Sequence, residues 1–419
     1  MRHLLVMIDG LADTPLAELG GKTPLEHATT PVLDKLSAAG EIGTVRTIRK
    51  GEEAETLSAL FTVLGYPPGP YRTGRGYYEA LATGQVLAEG EWAFRLQLVN
   101  VQNGKLADSR AGGLSDIEGS QLVMALSKHF NLPRLRFVPV AGHNHLLIID
   151  GIDFHGLRDV SAINLINQPL AEQMPQGPGQ ELLSKIIDEA PAVLAKHEVN
   201  RARVAKGKLA ANAVWIWGGG TTIEVPGFHK TFGIKGAMVS YSNLFRGVGV
   251  ATGLAVPNPG GTATTGLSDP SGRMVKVDIE TLKKRDHETD EINKLRVTTE
   301  SALQNFEFVL AHFSYPDDHS HQGDVLGKVK AIGLIDKHFF KPVLKVLETQ
   351  KDTRLLVIST LMSRVETRMH DERAVPYLMW GPGIEPNAGK LTFTESNAET
   401  ARKHIEDGTR LIDNLLHGI

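Results

Sequence analysis

The sequence predicts an α/β protein with a doubly wound, mostly parallel sheet and an inserted smaller α+β domain. Two observations predict this fold. Apolar runs typical of buried strands alternate with segments of helical spacing, as in a parallel sheet covered by helices. The middle of the chain lacks this regular alternation of strand and helix patterns, which indicates a second domain.

Four apolar runs supply predicted strands of the main sheet. They occupy residues 3–8, 307–313, 354–359 and 375–379. Continuous apolar runs of this length are typical of strands buried on both faces. Segments with helical spacing occupy residues 31–39, 57–64 and 325–338. Pro31 stands at the opening of the first of these, where proline favours a helix start.

The middle of the chain is predicted to be a separate domain. Strands are expected at 92–101, 135–150 and 213–217, and a helix at 181–197. We place a discontinuous metal-binding core domain at 1–84 and 231–419, and an inserted substrate or cap domain at 85–230. The segment 255–300 is rich in Gly, Thr and Pro and then in charge, which predicts a mobile loop.

Composition and charge narrow the class of function. The 419 residues include 45 Lys and Arg against 48 Asp and Glu, a formal charge of −3 that indicates no nucleic-acid or membrane partner. The absence of cysteine excludes disulfides and thiolate metal sites. The first apolar run is too short for a membrane span or a signal peptide. We therefore expect a cytoplasmic protein.

Polar side chains follow several predicted strands of the main sheet. Asp9 follows the first strand, and Thr360 and His370 follow a late one. Asp317 and His321, spaced D-x-x-x-H, follow another late strand. Loops at the carboxyl ends of parallel strands converge on one crevice, and carboxylate and imidazole ligands suit Zn²⁺ or Mn²⁺. Spacing alone leaves other roles open, because an Asp-Gly pair is often only a turn and a lone histidine is often structural.

Six segments spread along nearly the whole chain carry a family resemblance. They are IDGLADTPLAELGGKTPLEHATTPVLDKL near the start, LGYPPGPYRTGRGYYEAL at 64–81, AFR at 93–95, NRARVAKGKLAANAVWIWGGG at 200–220, PDDHSHQGDVLGKVKAIGLID at 316–336 and AVPYLMWGPGI at 374–384. In this order they resemble the archaeal-type cofactor-independent phosphoglycerate mutases, members of the alkaline phosphatase superfamily. The resemblance implies an alkaline-phosphatase-like fold.

The resemblance also implies two divalent metals, usually Mn²⁺ or Zn²⁺, beside a serine or threonine nucleophile. It assigns Asp317, His321 and His370 to the first metal. It assigns Asp9 to the second metal, and Thr56, counted back from the LGY motif, to the nucleophile. Through a phospho-Thr intermediate, the nucleophile would move the phosphoryl group from the 3-position of glycerate to the 2-position.

Four positions depart from the family's pattern. Thr360 and Leu361 stand where the second metal's Asp-His pair is expected, and a shift of one residue puts Leu361 and Met362 there instead. Leu57 and Leu60 stand where the family usually has Asp and His. Leucine cannot ligate a metal, and a neutral hydroxyl is a poor substitute for a carboxylate. We therefore expect one well-bound metal and a second site that has lost half of its ligands.

Basic side chains are candidates for binding the phosphate and carboxylate groups of a substrate, because guanidinium and ammonium groups are the usual partners of such anions. The candidates are Arg72, Arg75, Arg95, Arg110 and Lys235. Two histidines, His143 and His145, are left open between substrate contact and a structural role.

Two interpretations of function follow. The first is an enzyme, a phosphoglycerate mutase of glycolysis or a related phosphotransferase or phosphatase on another small phosphorylated metabolite. The second is a catalytically weak or inactive relative, a pseudoenzyme that acts as a binding or regulatory protein. The retained Thr56 and the complete first-metal set favour the enzyme, whereas the lost Asp-His pair favours the pseudoenzyme. The sequence does not indicate the metal's identity or an oligomeric state.

Overall fold

The computed structural model describes residues 1–67, 69, 71, 73–259, 287–387 and 389–418, which divide into two compact units. The larger unit comprises residues 1–70 and 226–419, and the smaller one comprises 71–225. The sequence placed these divisions at 84/85 and 230/231. The helix that begins at Arg75 joins the smaller unit, because Gly76 lies against the backbone of Ala93.

The described residues form strands in both units. These are β1 (Arg2–Ile8), β2 (Glu41–Val45), β3 (Trp92–Gln102), β4 (Lys105–Asp108), β5 (Leu135–Ala141), β6 (Asn144–Ile149), β7 (Ala213–Thr221), β8 (Gly236–Val239), β9 (Phe308–Phe313), β10 (Thr353–Ser359), β11 (Met362–Arg364), β12 (Met369–Asp371), β13 (Val375–Trp380) and β14 (His404–Ile405).

Helices connect and cover these strands. The α-helices among the described residues are Pro24–His27, Pro31–Ala38, Thr56–Val63, Arg75–Ala82, Asp116–His129, Gln180–Leu194, Glu198–Ala205, Phe228–Phe232, Asn243–Ala251, His287–Asn305, Tyr315–Gln322, Val325–Ile335, Lys341–Thr349, Glu395–Thr400 and Arg410–His417. Short 3₁₀ helices lie at Ala17–Leu19, Ala162–Leu165 and Leu170–Glu172, and a π-helical turn lies at Asp336–Phe340. Within the described part of the chain, no helix is long and apolar enough to cross a membrane.

The larger unit is built on a seven-stranded sheet in the order β14-β2-β13-β10-β1-β9-β8. Strand β13 runs antiparallel to β10 and β2, and the other neighbouring pairs are parallel. This confirms the predicted α/β class and mostly parallel sheet. In the sheet register Ile8 pairs with Phe313 on one side and Ser359 on the other, so the loops after β9, β1 and β10 leave the sheet side by side.

The smaller unit contains a five-stranded antiparallel sheet. Its order is β4-β3-β6-β5, with β7 pairing the other edge of the long strand β3. The apolar face of this sheet shares a core with two helices, Asp116–His129 and Gln180–Leu194. The region predicted as strand at 135–150 is a hairpin of β5 and β6.

The predicted mobile loop at 255–300 can be compared with the structure only in part. Residues 260–286 lie outside the described residues. Beyond them the chain forms the helix His287–Asn305, whose apolar side chains Ile292 and Leu295 are fully buried in the core of the larger unit. The charge-rich end of the segment is therefore helical, and the mobile loop that 255–300 was predicted to contain is not tested by the described residues.

Candidate metal centre

Three predicted metal ligands meet at the carboxyl edge of the large sheet. Asp317 and His321 lie on the helix Tyr315–Gln322, which begins directly after β9. Their spacing of four residues places both side chains on one face of that helix. His370 lies on β12, which pairs with β11 in a hairpin after β10.

The geometry of these three side chains suits a divalent cation. His321 Nε2 lies 3.1 Å from Asp317 Oδ2, and His370 Nε2 lies 3.1 Å from Asp317 Oδ1. One ligand atom from each residue can be chosen so that all three lie within 4.8 Å of one another. Two imidazoles and a carboxylate are a usual donor set for Zn²⁺ or Mn²⁺, and three protein ligands leave a coordination position for substrate.

Hydrogen bonds from outside the cluster orient two of its members. His321 Nδ1 lies 2.9 Å from the carbonyl oxygen of Arg368 and donates to it, which leaves Nε2 free of a proton in the neutral ring. The Ser363 hydroxyl donates to Asp317 Oδ1. Such outer contacts fix the tautomer of a ligating histidine and the rotation of a ligating carboxylate.

The electrostatics of the cluster couple metal binding to proton release. Burial opposes ionisation of Asp317, but the two imidazoles outweigh it and hold the pKa of that carboxyl well below its ordinary value. Burial also opposes a charged His321, but the charge and hydrogen bond of Asp317 prevail and raise the pKa of His321 to about 9. Without a metal, the His321 ring therefore carries a second proton and is positively charged at neutral pH. A bound cation displaces that proton from Nε2.

Asp9 lies beside this cluster but is bonded elsewhere. Its Oδ2 lies 3.0 Å from Nε2 of His312, whose Nδ1 lies 2.8 Å from the hydroxyl oxygen of Ser240. The ring of Phe245 stacks on His312 at a centroid distance of 3.5 Å. Sequence reasoning missed His312, because a histidine inside the apolar strand FVLAHF gives no local sign of its partner. Asp9 Oδ1 is buried, and no hydrogen-bond partner for it occurs among the described residues.

Gly10 allows the loop after β1 to reach the Asp317 helix. Its φ is +70°, a left-handed conformation that side chains other than glycine rarely adopt. A Cβ on Gly10 would lie 2.5 Å from the backbone nitrogen of Asp317. The Asp-Gly pair is thus a turn and also a close backbone contact that brings Asp9 near the metal cluster.

The position of the expected Asp-His pair does not fit a metal. Thr360 is fully buried, and its hydroxyl has no hydrogen-bond partner in the described part of the chain. Leu361 is 2% exposed and forms a small apolar cluster with Ile48 and Ala59. The expected carboxylate and imidazole are thus replaced by a neutral hydroxyl and an alkyl side chain, and neither can take their place as a ligand of Mn²⁺ or Zn²⁺.

Thr56 begins the helix that packs against this apolar cluster. Ala59 contacts the cluster of Leu361, and Thr56 lies one turn earlier on the same helical face. Ala54, two residues before Thr56, also packs against this cluster, and Leu361 follows the end of β10. Leu57 and Leu60 are 3% and 0% exposed, so both belong to the core.

The smaller unit gathers two of the predicted substrate-binding arginines around one buried carboxylate. Arg75 Nε donates to Glu79 Oε1 at 2.8 Å, and Arg95 Nε donates to Glu79 Oε2 at 2.9 Å. Both guanidinium groups lie over the ring of Trp217, at 4.9 and 5.5 Å from its centroid. Burial opposes the charge on Glu79, but Arg95 and Arg75 hold its pKa below the ordinary value. Two cations against one anion leave a net positive charge.

Arg110 and His143 lie near this arginine pair, while His145 has a structural role. Burial, together with the charges of Arg110 and Arg95, lowers the pKa of His143 to about 3, so its ring is neutral. His145 is 1% exposed, accepts from the backbone of Val140 at 3.0 Å and donates to the Gly142 carbonyl at 3.0 Å. Arg72 lies outside the described residues.

The structure does not bring Lys235 to the metal cluster. Lys235 is exposed and precedes β8, and its carbonyl accepts from the backbone of Glu307 and Phe308 at the amino end of β9. Asp317 follows the carboxyl end of the same six-residue strand. The two ends are about 20 Å apart at the rise of a β-strand. We therefore do not carry Lys235 into the proposed site.

Comparison with known proteins identifies relatives along the whole chain. A family model described as 2,3-bisphosphoglycerate-independent phosphoglycerate mutase matches residues 37–200. A probable enzyme of that name from Geobacter sulfurreducens is 31% identical over 420 residues, covering 99% of this chain and 100% of the relative. The enzyme from Methanothrix thermoacetophila is 30% identical over 423 residues and is matched over its full length.

Solved structures support the same fold. A protein from Pyrococcus horikoshii superposes with a TM-score of 0.72 at 23% identity, covering 99% of this chain and 96% of that one. A cofactor-independent phosphoglycerate mutase from Thermoplasma acidophilum gives a TM-score of 0.54 at 22% identity, covering 99% and 98%. Together with the full-length relatives, these matches show that the chain belongs to the 2,3-bisphosphoglycerate-independent phosphoglycerate mutase family.

Proposed function

We propose that this chain is a metal-dependent phosphoglycerate mutase that interconverts 3- and 2-phosphoglycerate with one firmly bound divalent metal, Mn²⁺ or Zn²⁺. The observation that carries the proposal is the cluster of Asp317, His321 and His370 at the sheet edge where the Thr56 helix begins. Full-length relatives named as such mutases support the substrate class. A cytoplasmic location belongs to the same proposal.

Thr56 is the nucleophile in this proposal. Its Oγ1 attacks the phosphorus, the bond to the glycerate oxygen breaks, and the hydroxyl proton passes to that departing oxygen. The other glycerate hydroxyl then takes the group from the phospho-Thr, and its proton returns to Thr56 Oγ1. Thr56 occupies the first position of its helix. The backbone N–H groups in the first turn of a helix have no partner within the helix, so they can donate to phosphoryl oxygens. Asp317 and the two histidines would hold a metal, which would supply Lewis-acid stabilisation of the phosphoryl charge.

The smaller unit contains basic side chains suited to binding anions. Arg75 and Arg95 share Glu79 and keep a net positive charge, so their remaining N–H groups suit the carboxylate or phosphate of a small metabolite. Arg110 adds a third guanidinium near His143. Because Arg75 and Arg95 are oriented by a buried carboxylate and an indole ring, they are positioned before substrate binds.

One observation favours a second candidate function. The burial of Leu361 against Ala59 and Ile48 fills the place of a second metal's ligands with an apolar contact. A mutase that has lost half of the ligands for its second metal would turn over its substrate slowly, because metal and positioning effects each lower the reaction barrier by several kcal/mol. The chain would then bind phosphorylated metabolites without efficient catalysis, as a binding or regulatory protein.

A coupled assay for conversion of 3-phosphoglycerate with added Mn²⁺ tests the proposal. Thr56→Val removes the nucleophile and keeps the side-chain shape. Thr62→Val is the matched control, because the Thr62 hydroxyl lies on the same helix and bonds only the Ser58 carbonyl. Turnover in the wild type and the control that disappears in Thr56→Val supports the enzyme. Absence of turnover in metal-loaded wild type would overturn it in favour of the binding protein.

A further inference from the structure

A buried ion pair between Lys328 and Asp13 lies next to the metal cluster. The ammonium of Lys328 is fully buried and lies 2.6 Å from Asp13 Oδ2, whose side chain is also fully buried. The same carboxylate oxygen accepts from the backbone of Val365 at 3.1 Å. Lys328 lies on the helix that follows the Asp317 helix, and Asp13 lies in the loop after β1. The pair therefore joins three segments that surround the metal ligands.

The second bond of Lys328 leads to the cluster itself. Its ammonium donates to the Ser363 carbonyl at 2.6 Å, and the Ser363 hydroxyl donates to Asp317 Oδ1. Ser363 also donates its backbone N–H to the Ala12 carbonyl at 3.1 Å, and it pairs with His370 across β11 and β12. One residue thus contacts the carboxylate ligand and is the strand partner of a histidine ligand.

We propose that Ser363 is a positioning residue for the metal centre, held in place by the Lys328–Asp13 ion pair. This inference rests on the proposed metal-dependent function. The Ser363 hydroxyl fixes the rotation of the Asp317 carboxylate, and the strand pairing aligns His370 with it. A buried ion pair is weak evidence for stability, because desolvation cancels much of its attraction. In this proposal the Lys328–Asp13 pair holds β11 in the register that pairs Ser363 with His370.

Metal affinity of the purified chain measures this role. Ser363→Ala removes the hydroxyl with little change of volume, and we expect Mn²⁺ to bind about 10–100-fold more weakly by calorimetric titration. Ser359→Ala is the matched control. Among the described residues its buried hydroxyl bonds backbone groups, Ala12 N and the Leu361 carbonyl, so its loss removes two hydrogen bonds, one more than Ser363→Ala removes, without touching a ligand.

A second variant separates positioning from folding. Lys328→Met combined with Asp13→Asn removes both charges and keeps an acceptor for the backbone of Val365. Replacing a buried pair in this way is often tolerated in stability. We expect a folded protein whose Mn²⁺ affinity is reduced like that of Ser363→Ala, because the Ser363 carbonyl loses its partner.

The outcomes distinguish the inference from the proposed function. Weakened Mn²⁺ binding in Ser363→Ala with wild-type affinity in Ser359→Ala supports the positioning role. Equal affinities in wild type and both single variants would overturn the inference and leave the proposed metal site standing. A wild-type chain that binds neither Mn²⁺ nor Zn²⁺ would overturn the metal site and the inference together.

Discussion

Replacing Thr360 by Asp and Leu361 by His should give this chain a second bound metal. Leu361 is 2% exposed and Thr360 is fully buried, so the metal-free variant exchanges an apolar contact for an imidazole and buries a new carboxylate near Asp9. We expect a loss of about 3–5 kcal/mol in the stability of the metal-free protein. Mn²⁺ at a thousandfold excess over its dissociation constant restores about 4 kcal/mol. The variant should therefore melt well below wild type without metal and near it with metal.

Native mass spectrometry and thermal melting with and without Mn²⁺ measure this effect. The control is Thr360→Asn combined with Leu361→Gln, which introduces polar groups of similar size that are poor metal ligands. It should lose stability and gain no metal. A Thr360→Asp/Leu361→His protein that binds no more metal than wild type, or whose melting temperature rises with Mn²⁺ no more than that of wild type, would refute the assignment of the lost ligand pair.

Three further changes test other parts of the account. Arg203→Met should destabilise the smaller unit by about 3 kcal/mol or more, measured by chemical denaturation, because its 1%-exposed guanidinium bonds Glu118 and several loop carbonyls. Gly10→Ala should cost about 2 kcal/mol or more from its positive φ and its clash with Asp317, and should also weaken Mn²⁺ binding. Burial raises the pKa of Asp336 to about 6 from 3.8, so the folded state holds a proton that the unfolded chain releases. Stability relative to Asp336→Asn should therefore fall by about 2–3 kcal/mol as pH rises through this window, and a flat difference would contradict the shift.

Local pattern predicted much of the fold and part of the site. The apolar runs that became β1, β9 and β10 are buried on both faces, and such strands have a direct sequence signature. Asp317 and His321 were predicted together as polar residues after one strand, but the helix that puts them on one face was not predicted. The antiparallel direction of β13 was not predicted, because strand direction depends on the connection and not on the composition of the strand.

Side-chain contacts between residues far apart along the chain could not be predicted from the sequence. The Lys328–Asp13 pair joins residues 315 positions apart, and neither residue has a local pattern that names its partner. Glu79 looks like an ordinary helical carboxylate until Arg95 is brought to it by the antiparallel sheet. Lys235 was proposed as an anion-binding residue partly because glycines flank it. That local pattern does not indicate at which end of the sheet the residue lies.

The number of metal ions that each chain binds tests the central claim most directly. Wild-type protein loaded with Mn²⁺ or Zn²⁺ and freed of excess metal should contain one ion per chain by native mass spectrometry. His370→Ala should contain none, because it removes one of the three ligands in the cluster. Two ions per wild-type chain, or one ion that persists in His370→Ala, would contradict a single metal centre built on Asp317, His321 and His370.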